Sequence, residues 1–185
     1  MNENERKLAL KLAREAIGEF LEHDLELEPP AEGFLQEPTG VFVSLKMHGD
    51  LRGCIGYMEA LMPLGKAIVR CGIQSATQDP RFPPLTLTEL ELCKIEISVL
   101  SELRKIENPE DVQVGIHGIV IAAGNRRGLL LPQVPKEYGW DRETFLKYGS
   151  RKAGLHEDAW RDPETSIYIF SAEVFREKDY PDLVS

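Results

Sequence analysis

The clearest helical pattern lies in residues 3–23, where apolar residues recur at the i, i+3 and i+4 spacing of one helical face. The members of this stripe are Ala9, Leu12, Ala13, Ala16, Ile17, Phe20 and Leu21. Pro29-Pro30 and Gly33 follow, and a helix does not continue through such a segment. The pattern therefore predicts an N-terminal helix and then a connecting loop.

From Val41 onward the apolar period changes to two, which is typical of a half-buried strand. His48-Gly49-Asp50 supplies turn residues, so residues 41–47 and 51–57 are predicted to form a β-hairpin. A helical stripe over 64–78 and a further alternation over 93–99 predict a helix and a third strand.

The same order of elements recurs 75 residues later along the chain. Residues 41–47, 51–57, 64–78 and 93–99 map onto 116–122, 126–132, 139–153 and 168–174. Arg-Gly stands at matching places in the two hairpins, and Asp141 and Gly154 are suitable caps for the second helix. We expect an α+β fold of two hairpin–helix–strand pseudo-repeats, about 41–100 and 116–175, with antiparallel sheets. These repeats and the N-terminal helix are expected to pack as one compact unit, a single domain over 1–185.

Composition excludes several classes of function. With 22 Lys and Arg against 31 Asp and Glu, the formal charge of −9 disfavours nucleic acid as a partner. Apolar runs are far shorter than the ~20 residues that span a bilayer, and the N-terminus lacks a signal-peptide pattern. Three widely spaced cysteines fit reduced thiols, so we expect a cytoplasmic protein without membrane contact. Metal-ligand spacings and nucleotide-binding glycine motifs are lacking, so neither a metal nor a cofactor is expected.

The most unusual segment is the second strand of the hairpin, Leu51-Arg52-Gly53-Cys54-Ile55-Gly56. Its two glycines indicate that backbone or ligand comes close there. On a regular strand Arg52, Cys54 and Gly56 share a face, and an arginine beside a thiol favours the thiolate of a nucleophilic cysteine. The alternative is that this face is interior and Cys54 is a small buried residue. Cys71 and Cys93 lie on apolar stripes and are expected in the core.

Three further residues are candidates for a site in the cleft between the repeats. His117, beside two glycines, is the candidate proton carrier, although an ordinary strand-end histidine fits equally. Arg81, held by a proline-rich segment, and Arg127 are candidates for binding an anion together with Arg52, Gly53 and Gly56. Arg52 either points into such a cleft or forms a buried, hydrogen-bonded pair.

Several segments, in this order, match the motifs of one known family: LRGCIG at 51–56, DPRFPPL at 79–85, SVLS at 98–101, HGIVI at 117–121, RRGLLLPQV at 126–134 and KAGL at 152–155. Together they resemble the AMMECR family, whose prokaryotic members are called AmmeMemoRadiSam system protein A. The resemblance implies an α+β fold of two repeats and an association with Memo-like proteins and radical-SAM enzymes. It implies no settled reaction.

Two functions follow as hypotheses. The first is an enzyme, or an enzyme subunit, that handles a small anionic substrate in a cleft around Cys54 and His117. The second is a non-catalytic adaptor in which the LRGCIG segment is structural and the protein docks a Memo-like or radical-SAM partner.

Overall fold

Helices and antiparallel strands alternate through the structure, a computed structural model that describes residues 1–31 and 33–183. The helices are α1 (Glu3–His23), α2 (Gly33–Gln36), α3 (Leu64–Thr77), α4 (Leu87–Leu92), α5 (Val134–Tyr138) and α6 (Arg142–Lys152). The strands are β1 (Val41–Met47), β2 (Asp50–Tyr57), β3 (Cys93–Leu100), β4 (Arg104–Ile106), β5 (His117–Ala123), β6 (Arg126–Leu130) and β7 (Ser166–Arg176). The predicted α+β class, with two hairpin–helix–strand segments and an N-terminal helix, is confirmed.

The chain divides into two compact units, each with its own hydrophobic core. Unit 1 comprises Met1–Val99 together with the residues from Glu173 onward, and unit 2 comprises Leu100–Ala172. Strand β7 therefore begins in unit 2 and ends in unit 1.

Helix α1 of unit 1 begins at a complete capping box. The Asn2 side chain accepts a hydrogen bond from the Glu5 backbone N–H, and the Glu5 carboxylate accepts one from the Asn2 N–H. The predicted apolar stripe is buried from Ala9 to Ile17 and packs on α3. Burial of this kind stabilises by about 1.5–3 kcal/mol for each large aliphatic side chain.

The sheet of unit 1 has one apolar face. Strand β1 lies between β2 and β3, antiparallel to both, and its Val43 and Leu45 are paired with Ile97 and Ile95 of β3. All four side chains are fully buried, and α3 packs on β1 and β2. Period-two alternation thus sends these residues into the core, as the sequence predicts.

The opposite face of the same sheet is polar. Ser44 of β1 is paired with Cys54 of β2 on one side and with Glu96 of β3 on the other. Directly paired residues project on the same face, so the three side chains form a continuous row across three strands. We call Cys54, Ser44 and Glu96 the polar row.

In unit 2, β7 lies between β4 and β5, and β6 is paired with β5. Helix α6 packs on β5 and β6 and buries Phe145 and Leu146. Its predicted caps are confirmed: the Asp141 side chain accepts from the Thr144 N–H at 2.8 Å, and Gly154 has a φ of 72°.

The structure contains a short helix, α4, that the hydrophobic pattern does not predict. Thr86 and Glu89 form its capping box, in which each side chain accepts from the other residue's backbone N–H. The Thr-x-x-Glu spacing is a local signal for a helix start. This signal is easily overlooked because it directly follows the proline-rich segment that ends at Pro84.

Candidate functional site

Cys54 lies on β2, and its thiol is only partly exposed. The Ser44 hydroxyl donates a hydrogen bond to the Cys54 Sγ at 3.1 Å, which holds the sulfur on the polar face of the sheet. Cys71 and Cys93 are buried, and burial raises the pKa of the Cys71 thiol to about 12. The prediction that these two cysteines belong to the core is confirmed.

The backbone of Cys54 is held by the proline-rich segment that follows α3. Asp79 Oδ2 accepts from the Cys54 N–H at 2.8 Å, and Arg81 Nη2 donates to the Cys54 carbonyl oxygen at 3.4 Å. These contacts satisfy the polar groups of an edge strand that would otherwise be open to pairing. They also place Arg81 beside the cysteine.

Asp79 and Arg81 form an ion pair of very unequal exposure. Two hydrogen bonds, of 2.9 Å from Nε and 2.6 Å from Nη2, join the guanidinium to the carboxylate. The Asp79 side chain is 2% exposed and that of Arg81 is 53% exposed. These hydrogen bonds lower the pKa of Asp79 to about 2, so the pair stays charged at neutral pH.

The Cys54 thiol keeps its proton more strongly than an ordinary cysteine. Burial raises its pKa, while the hydrogen bond from Ser44 and the positive charge of Arg81 lower it by less. The sequence prediction gave the thiolate-favouring role to Arg52, whereas the arginine beside the thiol is Arg81, and its effect on the pKa is smaller than that of burial. Desolvation of the charged form outweighs the arginine.

Arg52 does not share the face of Cys54. Leu45 is paired with Gly53 and Lys46 with Leu51, so Arg52 is the extra residue of a β-bulge and the alternation breaks there. This register shift therefore contradicts the prediction that Arg52 and Cys54 lie on the same face of the strand.

The Arg52 guanidinium is instead enclosed and paired. Its side chain is 8% exposed, and it donates to both carboxylate oxygens of Glu89 and to the Pro83 carbonyl oxygen at 3.0 Å. Of the two geometries expected for Arg52, the buried and hydrogen-bonded one is present.

Both glycines of the segment are required by packing inside unit 1. A Cβ on Gly53 would lie 2.0 Å from the Ser75 carbonyl oxygen in α3. A Cβ on Gly56 would lie 2.3 Å from Cγ of the Phe42 ring. The predicted close approach is real, and at both glycines it is made by the protein's own atoms.

His117 and Arg127 belong to unit 2, whereas Cys54 and Arg81 belong to unit 1. His117 begins β5, and its Nδ1 accepts from the Gln113 N–H at 3.2 Å. It lines a groove of about 630 Å³ together with Arg104 and Phe170. Arg127 is exposed on β6, opposite Ala122.

Comparison with known proteins places these motifs in one family. The family model described as AMMECR1 matches residues 10–175. The chain belongs to the AMMECR1 family. This confirms the resemblance that the LRGCIG segment and the other motifs indicate.

Similar proteins occur in Methanopyrus kandleri and Pyrococcus horikoshii. Protein MK0488 of Methanopyrus kandleri is 47% identical over 186 residues, which cover 95% of this chain and 89% of that protein. A crystal structure of the uncharacterized protein PH0010 from Pyrococcus horikoshii has a TM-score of 0.91 and 41% identity. That match covers 95% of this chain and 93% of the other.

Two motifs of this AMMECR1-family chain meet through residues that the sequence alone did not single out. Asp79, the first residue of the DPRFPPL segment, accepts a hydrogen bond from the Cys54 N–H of the LRGCIG segment. Glu89 forms an ion pair with Arg52. Ser44 contacts the thiol and Glu96 completes the polar row. The sequence signal at Ser44 and Glu96 is weak because a polar residue in the alternation of a strand is ordinary, although the structure buries both side chains.

Within residues 1–31 and 33–183, no group of three His, Cys, Asp or Glu side chains is placed to bind a metal ion. Over the same residues, no helix combines the length and the apolar character needed to cross a membrane.

Proposed function

We propose that this protein is a small-molecule enzyme, or a subunit of one, whose substrate binds against Cys54 and Arg81. The observation that carries the proposal is the arrangement around Asp79. One buried carboxylate holds the Cys54 backbone and the Arg81 guanidinium at the same time. A partly exposed thiol is thereby fixed beside a half-exposed cation.

Arg81 retains donors for a ligand. Its Nε and Nη2 are committed to Asp79 and to the Cys54 carbonyl, while Nη1 has no hydrogen-bond partner among the residues that the structure describes. A guanidinium binds carboxylate or phosphate oxygens well because its donors lie in one rigid plane. The proposed substrate is therefore a small organic anion.

Cys54 acts in this proposal as a protonated thiol in contact with the substrate. Its raised pKa keeps the resting sulfur neutral, so any nucleophilic role requires that a bound molecule or partner remove the proton. The roles predicted for His117 and Arg127 remain predictions, as does a Memo-like or radical-SAM partner that would supply further chemistry.

The second candidate is a non-catalytic adaptor. It is favoured by the packing of Arg52, Gly53 and Gly56, each of which has a structural reason within unit 1. An adaptor requires no accessible thiol and no anion contact at Arg81.

Alkylation with two reagents of similar size distinguishes the candidates. Iodoacetate is anionic and iodoacetamide is neutral, and with either one the thiolate displaces iodide to form a carbon–sulfur bond. We expect Cys54 to be labelled before Cys71 and Cys93, as located by peptide mapping. The rate ratio of iodoacetate to iodoacetamide at Cys54 should fall about two- to fivefold in Arg81→Gln, the range expected for an exposed charge pair.

The matched control is Arg70→Gln, which removes another half-exposed arginine of unit 1 that is paired with a carboxylate, Glu26. It should leave the rate ratio unchanged. Equal ratios in wild type and Arg81→Gln, or labelling of Cys71 or Cys93 first, would refute the substrate contact and leave the adaptor as the better account.

A further inference from the structure

A basic pocket lies on the polar face of unit 1 and is lined by residues of β1, β3 and the β1–β2 turn. Its volume is about 380 Å³, within the usual size of small-molecule sites. Four cations line it: Lys46, Lys94, Arg176 and Lys178. The one carboxylate in the lining is that of Glu96, so the lining carries a formal charge of +3 on a chain of charge −9.

Glu96 organises two of these cations. Its side chain is nearly buried, accepts from Arg176 Nε at 2.5 Å and lies 3.4 Å from Lys46 Nζ. A single carboxylate cannot neutralise both partners. Lys94 and Lys178 are exposed, and their side chains form no ion pair within the part of the chain that the structure describes.

The strand register concentrates the positive charge. Lys46 of β1 is paired directly with Lys94 of β3 on the same face. Like charges in this position repel and destabilise a sheet. A bound anion would relieve this repulsion.

The pocket also has an apolar wall. Leu92, at the end of α4, lines it with a side chain that is 52% exposed. The β1–β2 turn closes another side with His48, whose φ of 54° is uncommon outside glycine. A ligand that combines a negative group with an apolar body fits such a lining.

We propose that this pocket binds a small organic phosphate, with the phosphate on the lysines and Arg176 and the apolar part on Leu92. A phosphate carries enough charge to offset the +3 lining, and the pocket size selects a small molecule. The site is separate from the one proposed at Cys54 and Arg81, because Ser44 lies between Cys54 and Glu96 in the polar row.

Calorimetric titration of the full chain with phenyl phosphate, inorganic phosphate and phenol tests the proposal. Phenyl phosphate should bind saturably and more tightly than inorganic phosphate, and phenol should not bind. In the double variant Lys94→Gln/Lys178→Gln the dissociation constant for phenyl phosphate should rise at least about tenfold, since two charge-assisted contacts are lost.

The control variant Lys11→Gln/Lys66→Gln removes two exposed lysines of unit 1 outside the pocket and should leave the constant unchanged. Arg81→Gln should also leave it unchanged, which separates this site from the proposed function. Absence of saturable binding, equal affinity for phenyl phosphate and inorganic phosphate, or an equal effect of the control variant would overturn the proposal.

Discussion

Replacing Gly53 by alanine tests whether the LRGCIG segment is held against α3 as tightly as the structure shows. The new Cβ would lie 2.0 Å from the Ser75 carbonyl oxygen, whereas ordinary contacts begin at 3.4 Å. The atom it meets is helix backbone, which cannot rotate away as the end of a flexible side chain does. Strand β2 and helix α3 would therefore have to separate locally by about 1.4 Å, the difference between these distances.

This separation has a cost that follows from the contacts at the same place. The Ile55 N–H donates to Ser75 Oγ at 2.7 Å, and a further 1.4 Å would break this hydrogen bond, a loss of about 1 kcal/mol. Overpacking adds about 1–3 kcal/mol, and the lower entropy of the unfolded alanine chain offsets about 0.4–1 kcal/mol. The free energy of unfolding should thus fall by about 1–3.5 kcal/mol.

Urea unfolding followed by two signals measures the effect. Both tryptophans, Trp140 and Trp160, lie in unit 2, whereas the long helices α1 and α3 lie in unit 1. Far-UV circular dichroism therefore reports mainly on the unit that carries the substitution, and tryptophan fluorescence reports on the other. We expect the dichroism transition to move to lower urea in Gly53→Ala.

Gly33→Ala is the matched control. Gly33 lies in α2, and a Cβ there would meet no atom within 4 Å. This variant should be unchanged or more stable by up to ~1 kcal/mol, because alanine favours a helix. A Gly53→Ala protein that unfolds within 0.5 kcal/mol of wild type, about the spread of neutral surface substitutions, would show that the close approach is not real.

Two further predictions concern the charges around Cys54. Arg52→Ala should lower the free energy of unfolding by about 2–4 kcal/mol in urea titrations, because a buried, multiply hydrogen-bonded guanidinium is lost; wild-type stability in this variant would contradict the structural role. Asp79 has its pKa lowered from 3.8 to about 2, so its stabilising contribution is complete above about pH 4 and is lost as the pH falls towards 2. Stability measured from pH 5 to pH 2 should therefore decline less steeply in Asp79→Asn than in wild type, and identical slopes would count against the ion pair.

Helices, hairpins and caps can be predicted from the sequence because each of them depends on residues that are close along the chain. The α1 stripe, the β1–β2 hairpin and the Asp141 cap each involve residues close in sequence. The contacts of the candidate site are different. Asp79 reaches Cys54 across 25 residues and Glu89 reaches Arg52 across 37, and no local period records such pairs.

Arg52 shows a second reason why sequence reasoning stops short. Strict alternation placed it with Cys54, but a single extra residue in the bulge reverses the side on which it projects. A bulge leaves no reliable mark in one sequence. Burial also decided the state of the Cys54 thiol, and burial depends on packing that the hydrophobic pattern does not resolve.

The order in which the residues of unit 1 are translated determines when the contacts of this unit can form. Arg14 of helix α1 is synthesised 163 residues before Glu177, yet two hydrogen bonds join them, and Glu177 in turn accepts from the Ile95 N–H in β3. Residues 100–172, which form unit 2, are translated between Ile95 and Glu177. When translation has reached residue 100, the Ile95 N–H of β3 therefore still lacks its acceptor, the Glu177 carboxylate. All residues of unit 2 are thus translated before unit 1 is complete, and unit 1 is completed only after translation has passed Glu177.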